Sequence, residues 1–191
     1  ALEFEPGTYS EYSNTGYVLL TEIVSRLSGL RFADYLAVNF FHPLGMQHSY
    51  AADEHAIPMF NEALNYAEHS ALFGLNFYLT GSSGVVSSLD DMALFMEALL
   101  NEEIVESETL ELMQQHHSLD LLPGSDYGYG MLLDQTGADA FSHTGRNDGF
   151  VTWMLVNRDT GIRLVILGNG GAPTGNHGYL TRLVDQFYGH Q

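Results

Sequence analysis

Along the first third of the chain, apolar residues recur at helical spacing. Val18, Leu19, Ile23, Val24 and Leu27 fall at the spacing of a helix predicted over Thr15–Leu27, and Gly29 stands where such a helix ends. A second, shorter helix is predicted over Phe32–Phe41, stopped by Pro43 and Gly45. From Ser49 to Leu79 no period holds, and polar and aromatic residues mix over a stretch long enough to form the wall or lid of a cleft. Ser88-Leu89-Asp90-Asp91 has the form of a capping box with a shortened acid. It leads into a helix through Ala93, Leu94, Met96, Leu99 and Leu100, and another helix starts near Ser107 and runs to about Gln115.

The pattern changes after Pro123-Gly124. Tyr127–Leu133, Ala140–His143, Phe150–Asn157 and Ile162–Gly168 are rich in aromatic and β-branched residues and read as strands, with Arg158-Asp159-Thr160-Gly161 as a hairpin turn. Leu180, Leu183, Val184 and Phe187 give the stretch Tyr179–Tyr188 the spacing of a closing amphipathic helix. Helices followed by consecutive strands predict an α/β chain of the α+β type, an antiparallel sheet flanked by helices, rather than alternating βαβ units. Three or four strands and a final helix leave a sheet edge that wants a neighbour. Residues 1–191 are expected to form a single, partial domain, with 1–122 mostly helical and 123–191 carrying the strands and closing helix.

Composition narrows the function classes. The 191 residues are 45% hydrophobic, enough for a real core, and no apolar run is long enough to span a bilayer, so membrane insertion is not expected. The formal charge of −18 opposes phosphate backbones and anionic lipid, which sets nucleic acid aside as a partner. All six basic residues are arginine, so the chain has no lysine; such a surface suits either a salty environment or ordinary solubility. There is no cysteine, hence no disulfide framework and no thiolate chemistry. No metal is expected, because His116-His117 lacks a ligand spacing, and no cofactor, because Gly168-Asn169-Gly170-Gly171 does not sit in a strand–turn–helix context. Gly81-Ser82-Ser83-Gly84 lacks the spacing of a nucleophile elbow and reads as a loop before the Ser88 helix.

Two short stretches carry candidate chemistry. Tyr12-Ser13-Asn14 lies after the Pro6-Gly7 turn and just before a helix. Read as structure, Ser13 or Asn14 caps the helix and Tyr12 packs on the surface. Read as function, a tyrosine hydroxyl serves as a general base when nearby cations hold its pKa down, and an asparagine amide two residues on can hold a substrate carbonyl. Phe141-Ser142-His143-Thr144-Gly145-Arg146 closes a strand ahead of the next one. Here Gly145 is either a bulge or a point of close substrate approach, His143 either a surface residue or part of a site, and the Arg146 backbone N–H can aim at a developing oxyanion.

The order of several motifs carries a resemblance. Phe4-Glu5-Pro6-Gly7-Thr8, Tyr12-Ser13-Asn14-Thr15-Gly16-Tyr17, Ser28-Gly29, Phe41-His42-Pro43-Leu44-Gly45-Met46, the segment Gly81–Phe95 and Ser142-His143-Thr144-Gly145 follow one another along the whole chain. Together they resemble the serine β-lactamase and penicillin-binding-protein superfamily, in its class C-like branch of D-Ala-D-Ala carboxypeptidases, D-aminopeptidases and esterases. The resemblance implies acyl transfer from a β-lactam, D-amino-acid peptide or ester through a serine acyl-enzyme. It implies Tyr12 as general base or proton relay, Asn14 as a contact to the substrate amide, and His143 in the place of the family's third-box lysine or histidine. It also implies Thr144 and Gly145 as substrate contacts, and the Arg146 N–H as half of an oxyanion hole.

The resemblance also implies a Ser-x-x-Lys box upstream of Tyr12, which a lysine-free chain cannot contain. Since the sequence opens at Ala1-Leu2-Glu3-Phe4, it is expected to be the C-terminal portion of a longer hydrolase, inactive alone and prone to pair with itself or with the missing N-terminal segment. The alternative is a non-catalytic binding or regulatory module that keeps the cleft without the nucleophile. Histidine in place of lysine favours a peptidase or esterase over efficient β-lactam hydrolysis. The resemblance further implies a bacterial periplasm or cell envelope as the setting.

Overall fold

The computed structural model describes residues 2–56, 59, 62–63, 80–117, 126–133, 139–147 and 149–169. The closing helix expected over Tyr179–Tyr188 and most of the irregular stretch Ser49–Leu79 lie outside them.

The first helix, α1, spans Asn14–Ser28. Ser13 caps it by accepting the Gly16 N–H at 3.1 Å, and Gly29 ends it at φ 72°, a left-handed conformation that glycine adopts without a Cβ penalty. None of its residues is buried. The short helix α2 (Phe32–Leu36) runs directly into a π-helical turn over Ala37–Phe41, closed by the His42 N–H on the Ala37 carbonyl at 2.9 Å. The single helix expected over Phe32–Phe41 is thus two segments of different winding. The extra residue per turn carries Phe41 inward, where it and Met46 are both buried.

β1 (Tyr50–Ala51) pairs antiparallel with β2 (Val85–Val86), so the expected irregular stretch opens on a strand. α3 (Leu89–Leu100) begins at Ser88, whose side chain accepts the Asp91 N–H at 3.1 Å. The Asp91 carboxylate does not serve as the acid of a capping box. It is buried and turns instead to the preceding segment, accepting the His48 N–H at 2.7 Å and the Ser49 hydroxyl at 2.6 Å. α4 covers Ser107–Met113.

The second half is an antiparallel meander of five strands in the order β3 (Asp126–Tyr127), β4 (Leu132–Leu133), β5 (Ala140–Asn147), β6 (Phe150–Asn157) and β7 (Ile162–Gly168). Two sequence expectations change here. The strand expected over Tyr127–Leu133 is two short strands, because Gly130 at φ 77° turns the chain back on itself. The strand expected over Ala140–His143 continues to Asn147, because every residue from Ala140 to Asn147 has a partner on β6. Gly145 therefore lies inside a ladder and is not a bulge.

One face of the meander supplies the core. Phe141 and Val156, directly opposite each other, are almost fully buried against Met96 and Leu99 of α3, Leu110 of α4, and Met131. Burial of side chains this size contributes roughly 1.5–3 kcal/mol each. Arg163 of β7 reaches over the edge to Glu97 of α3. This packing holds β5 rigidly in the middle of the sheet, and β5 carries one half of the candidate site.

Candidate active site

The site lies where the start of α1 and the strand β5 both reach Tyr127 of β3. Tyr12 immediately precedes the Ser13 cap, and Tyr17 is the fourth residue of the helix. That is the spacing of a hydrophobic staple, which places the two side chains on the same side of the helix entry. Both lie beside Tyr127. The Tyr12 and Tyr127 rings meet edge to face with centroids 6.2 Å apart, and the Tyr17 side chain is hydrogen bonded to Tyr127. Tyr127 in turn places its hydroxyl 2.9 Å from Nε2 of His143, with ring centroids 6.0 Å apart. Nδ1 of His143 lies 2.7 Å from the Thr144 carbonyl oxygen.

The backbone around Tyr127 is fastened to the end of α4. The Tyr127 carbonyl accepts the His117 N–H at 3.0 Å, and the Met113 carbonyl accepts the Tyr129 N–H at 2.9 Å. Gly128 packs so closely here that a Cβ would run into the Met113 carbonyl oxygen. His117 stacks on Tyr129 at 3.9 Å between centroids, and His116 pairs with Asp126 at 2.7 Å. The adjacent histidines thus buttress the strand that carries Tyr127.

Tyr127 is half-buried, and burial first, then the neighbouring Tyr17 and Tyr12, holds its phenol well above the ordinary tyrosine pKa. It stays protonated at neutral pH and can donate a hydrogen bond. Tyr12 is exposed at the mouth of the site.

The other expected residues take their places by chain position. Asn14 is the first residue of α1 and is exposed; Thr144 and Arg146 are exposed along β5. Gly145 faces Thr152 across the ladder, and a Cβ there would collide with the Thr152 hydroxyl. The neighbouring strand, at least as much as any substrate, accounts for this glycine. β4 pairs β5 only at Phe141 and Ser142, so among the described residues the β5 edge from His143 to Asn147 has no strand beside it. Such an edge offers backbone donors and acceptors to an extended ligand. Among the described residues no group of three or more His, Asp or Glu side chains is arranged to hold a metal.

Sequence patterns singled out Tyr12 and His143 but passed over Tyr17 and Tyr127, which join them. The staple spacing from Tyr12 to Tyr17 was a usable signal for the first. For Tyr127 the only local sign was the alternating Tyr127-Gly128-Tyr129-Gly130.

Comparison with known proteins agrees with this architecture. Penicillin-binding protein 4* of Bacillus subtilis is 29% identical over 87% of this chain and 41% of its own length. A D-aminopeptidase of Gluconobacter oxydans is 28% identical over 88% of this chain and 33% of its own length. The crystal structure of D-amino acid amidase from Ochrobactrum anthropi, complexed with D-phenylalanine, superposes with a TM-score of 0.78 at 28% identity, covering 96% of this chain and 63% of that one. The chain therefore spans less than half of these curated relatives and under two thirds of the amidase. The family model described as Beta-lactamase matches residues 1–188, and the chain belongs to that family of serine hydrolases.

Proposed function

We propose that residues 1–191 are one wall of the cleft of a serine hydrolase that cleaves D-amino-acid peptides or amides through an acyl-enzyme, with the attacking serine and its lysine supplied from outside this stretch. The observation that carries the reading is the meeting of Tyr12 and His143 on Tyr127, beside a β5 edge that has no strand partner among the described residues. The absence of lysine, the greater length of the relatives and the exposed apolar face of α1 support the part played by a further segment. The similarity to a D-aminopeptidase and a D-amino acid amidase favours the D-amino-acid substrate over a β-lactam or ester.

In this reading the substrate lies along β5. Asn14 and Thr144 contact its amide, and the serine attacks its carbonyl. The Arg146 N–H stabilises the oxyanion together with an N–H at the serine. Tyr12 takes the serine proton and returns it to the leaving amine, and water then frees the acyl group. Lysine beside the serine would supply the cation that Tyr12 needs to act as a base.

The second reading, a non-catalytic module that retains the cleft, is favoured by the same absence of lysine. Reading the coding sequence upstream of Ala1 for a Ser-x-x-Lys box, and labelling with a fluorophosphonate or a fluorescent penicillin, separates the two. A longer protein that labels, where residues 1–191 do not, and whose Tyr12→Phe variant loses roughly 10²–10⁴ in turnover, supports the hydrolase. A longer protein that lacks the box or stays unlabelled overturns it.

A further inference from the structure

We infer that Tyr127 is a positioning residue that holds the His143 imidazole as its Nδ1–H tautomer, so that the third-box histidine addresses the cleft through the Tyr127 hydroxyl and not through its own nitrogen. This rests on the hydrolase reading above for its catalytic consequence, but not for its geometry.

The argument begins at the Thr144 carbonyl. A carbonyl oxygen only accepts, so the His143 Nδ1 at 2.7 Å carries the proton. In a neutral ring that leaves Nε2 as the acceptor, and the partner at 2.9 Å is the Tyr127 hydroxyl, which must donate. The Tyr17 side chain is hydrogen bonded to the same Tyr127 side chain. The hydrogen-bonded chain joins Tyr17, Tyr127, His143 and the Thr144 carbonyl. It connects the first turn of α1 to the middle of β5. With both ring nitrogens engaged, His143 has no lone pair left for a substrate.

The surroundings are arranged to keep Tyr127 in this role. Its strand is bonded to the end of α4 on both sides, and Gly128 permits an approach that no other residue would allow. Gly130 at φ 77° turns the chain beneath Tyr17, whose hydroxyl lies 3.5 Å from where a Cβ on that glycine would stand. The raised pKa of the Tyr127 phenol keeps its donor proton in place. Tyr12, edge-on to the same ring, is thereby held in register with His143 although no bond joins them directly.

The test reads the imidazole itself. In ¹⁵N-histidine-labelled protein, long-range ¹H–¹⁵N correlation at neutral pH is expected to show His143 as the Nδ1–H tautomer. Its Nε2 resonance should lie upfield of a free unprotonated nitrogen because it accepts from a hydroxyl. Tyr127→Phe is expected to move that Nε2 resonance to the free position or to bring in the Nε2–H tautomer; Tyr17→Phe, which leaves the Tyr127 bond in place, is expected to do neither. A wild-type His143 protonated at Nε2 and neutral at Nδ1, or an Nε2 resonance unmoved in Tyr127→Phe, overturns the inference. Should Tyr127→Phe fail to fold, the wild-type tautomer decides alone. In the longer, labelling-competent protein, Tyr127→Phe is expected to lower kcat about 10- to 100-fold while KM changes little. A raised KM with unchanged kcat would assign Tyr127 to substrate binding and overturn the positioning role. If no protein labels at all, the hydrolase reading fails, while the tautomer measurement still decides this one.

Discussion

Ser49 donates its hydroxyl to the buried carboxylate of Asp91 at 2.6 Å, across 42 positions of sequence. The same oxygen of Asp91 accepts the His48 N–H at 2.7 Å, and Ser87 shares the Ser49 hydroxyl at 2.8 Å. The first turn of α3 is thus bolted to the segment that follows the Pro43-Leu44-Gly45-Met46 turn. The partly positive N-terminus of α3 also favours the carboxylate where it sits. Asp91→Ala takes the acceptor from the part-buried His48 N–H and leaves the Ser49 hydroxyl with Ser87 alone, and is expected to cost about 2 kcal/mol, read as a lowered urea midpoint. Asp91→Asn keeps an accepting oxygen and is expected to cost less. An Asp91→Ala variant within about 0.5 kcal/mol of the parent, the range of ordinary surface changes, would show that the clasp contributes nothing.

The reason for Gly145 can be measured. A Cβ at this position would meet the Thr152 hydroxyl on the neighbouring strand, and that hydroxyl can move only by giving up its rotamer. Gly145→Ala is expected to cost about 1 kcal/mol. With Thr152→Ala already in place the space is open, and the same change is expected to be neutral or slightly stabilising. The double-mutant cycle should return a coupling of about 1 kcal/mol. Equal costs in both backgrounds would mean that Thr152 has no part in selecting glycine here.

These two contacts also mark where sequence reading stops. α1 and α3 were legible because an apolar stripe and a serine cap are local signals, and β6 and β7 because their residue types and the hairpin turn between them are. The split of Tyr127–Leu133 into two strands hinges on the positive φ of Gly130, and glycine identity alone does not say which glycine turns. The continuation of β5 to Asn147 follows from its ladder with β6, a non-local fact that no window on residues 140–147 contains. Asp91 satisfied the pattern of a capping box, yet tertiary partners took its carboxylate. In the site, Tyr12 and His143 were found as separate motifs. What joins them is Tyr127, which is 115 residues from one and, by hydrogen bond, 16 from the other.

Alkaline stability should depend on two phenols. Burial first, and then Tyr17 and Tyr12, raises the pKa of Tyr127; burial and the hydrogen bond to Glu62 raise that of Tyr50. The folded state therefore holds these protons more tightly than the unfolded chain, whose tyrosines titrate near about 10. The stability they contribute is complete below that pH and is lost as pH rises from it towards the folded values. Urea unfolding between pH 8 and 11 is expected to show a steep fall in stability above about pH 10. The slope should be shallower in Tyr127→Phe and in Tyr50→Phe. Parallel curves for parent and variants would contradict the raised values.

The outward face of α1 predicts how residues 1–191 behave by themselves. Leu19, Leu20, Ile23 and Leu27 are 60%, 52%, 52% and 84% exposed and fall on one side of the helix. An unbroken apolar stripe of this kind on a protein surface marks a place where something docks. In the proposed hydrolase that something is the segment bearing the serine and lysine. Without it the stripe is expected to find a second copy of itself, the more so at high salt, where the repulsion from the −18 charge is screened. Light scattering at rising salt is expected to show association of the parent chain. Ile23→Glu combined with Leu27→Glu should abolish it while leaving the helical circular dichroism unchanged, because neither side chain is buried in the fold. A parent chain that stays monomeric throughout would mean that the stripe is tolerated in water and that its exposure says nothing about a partner.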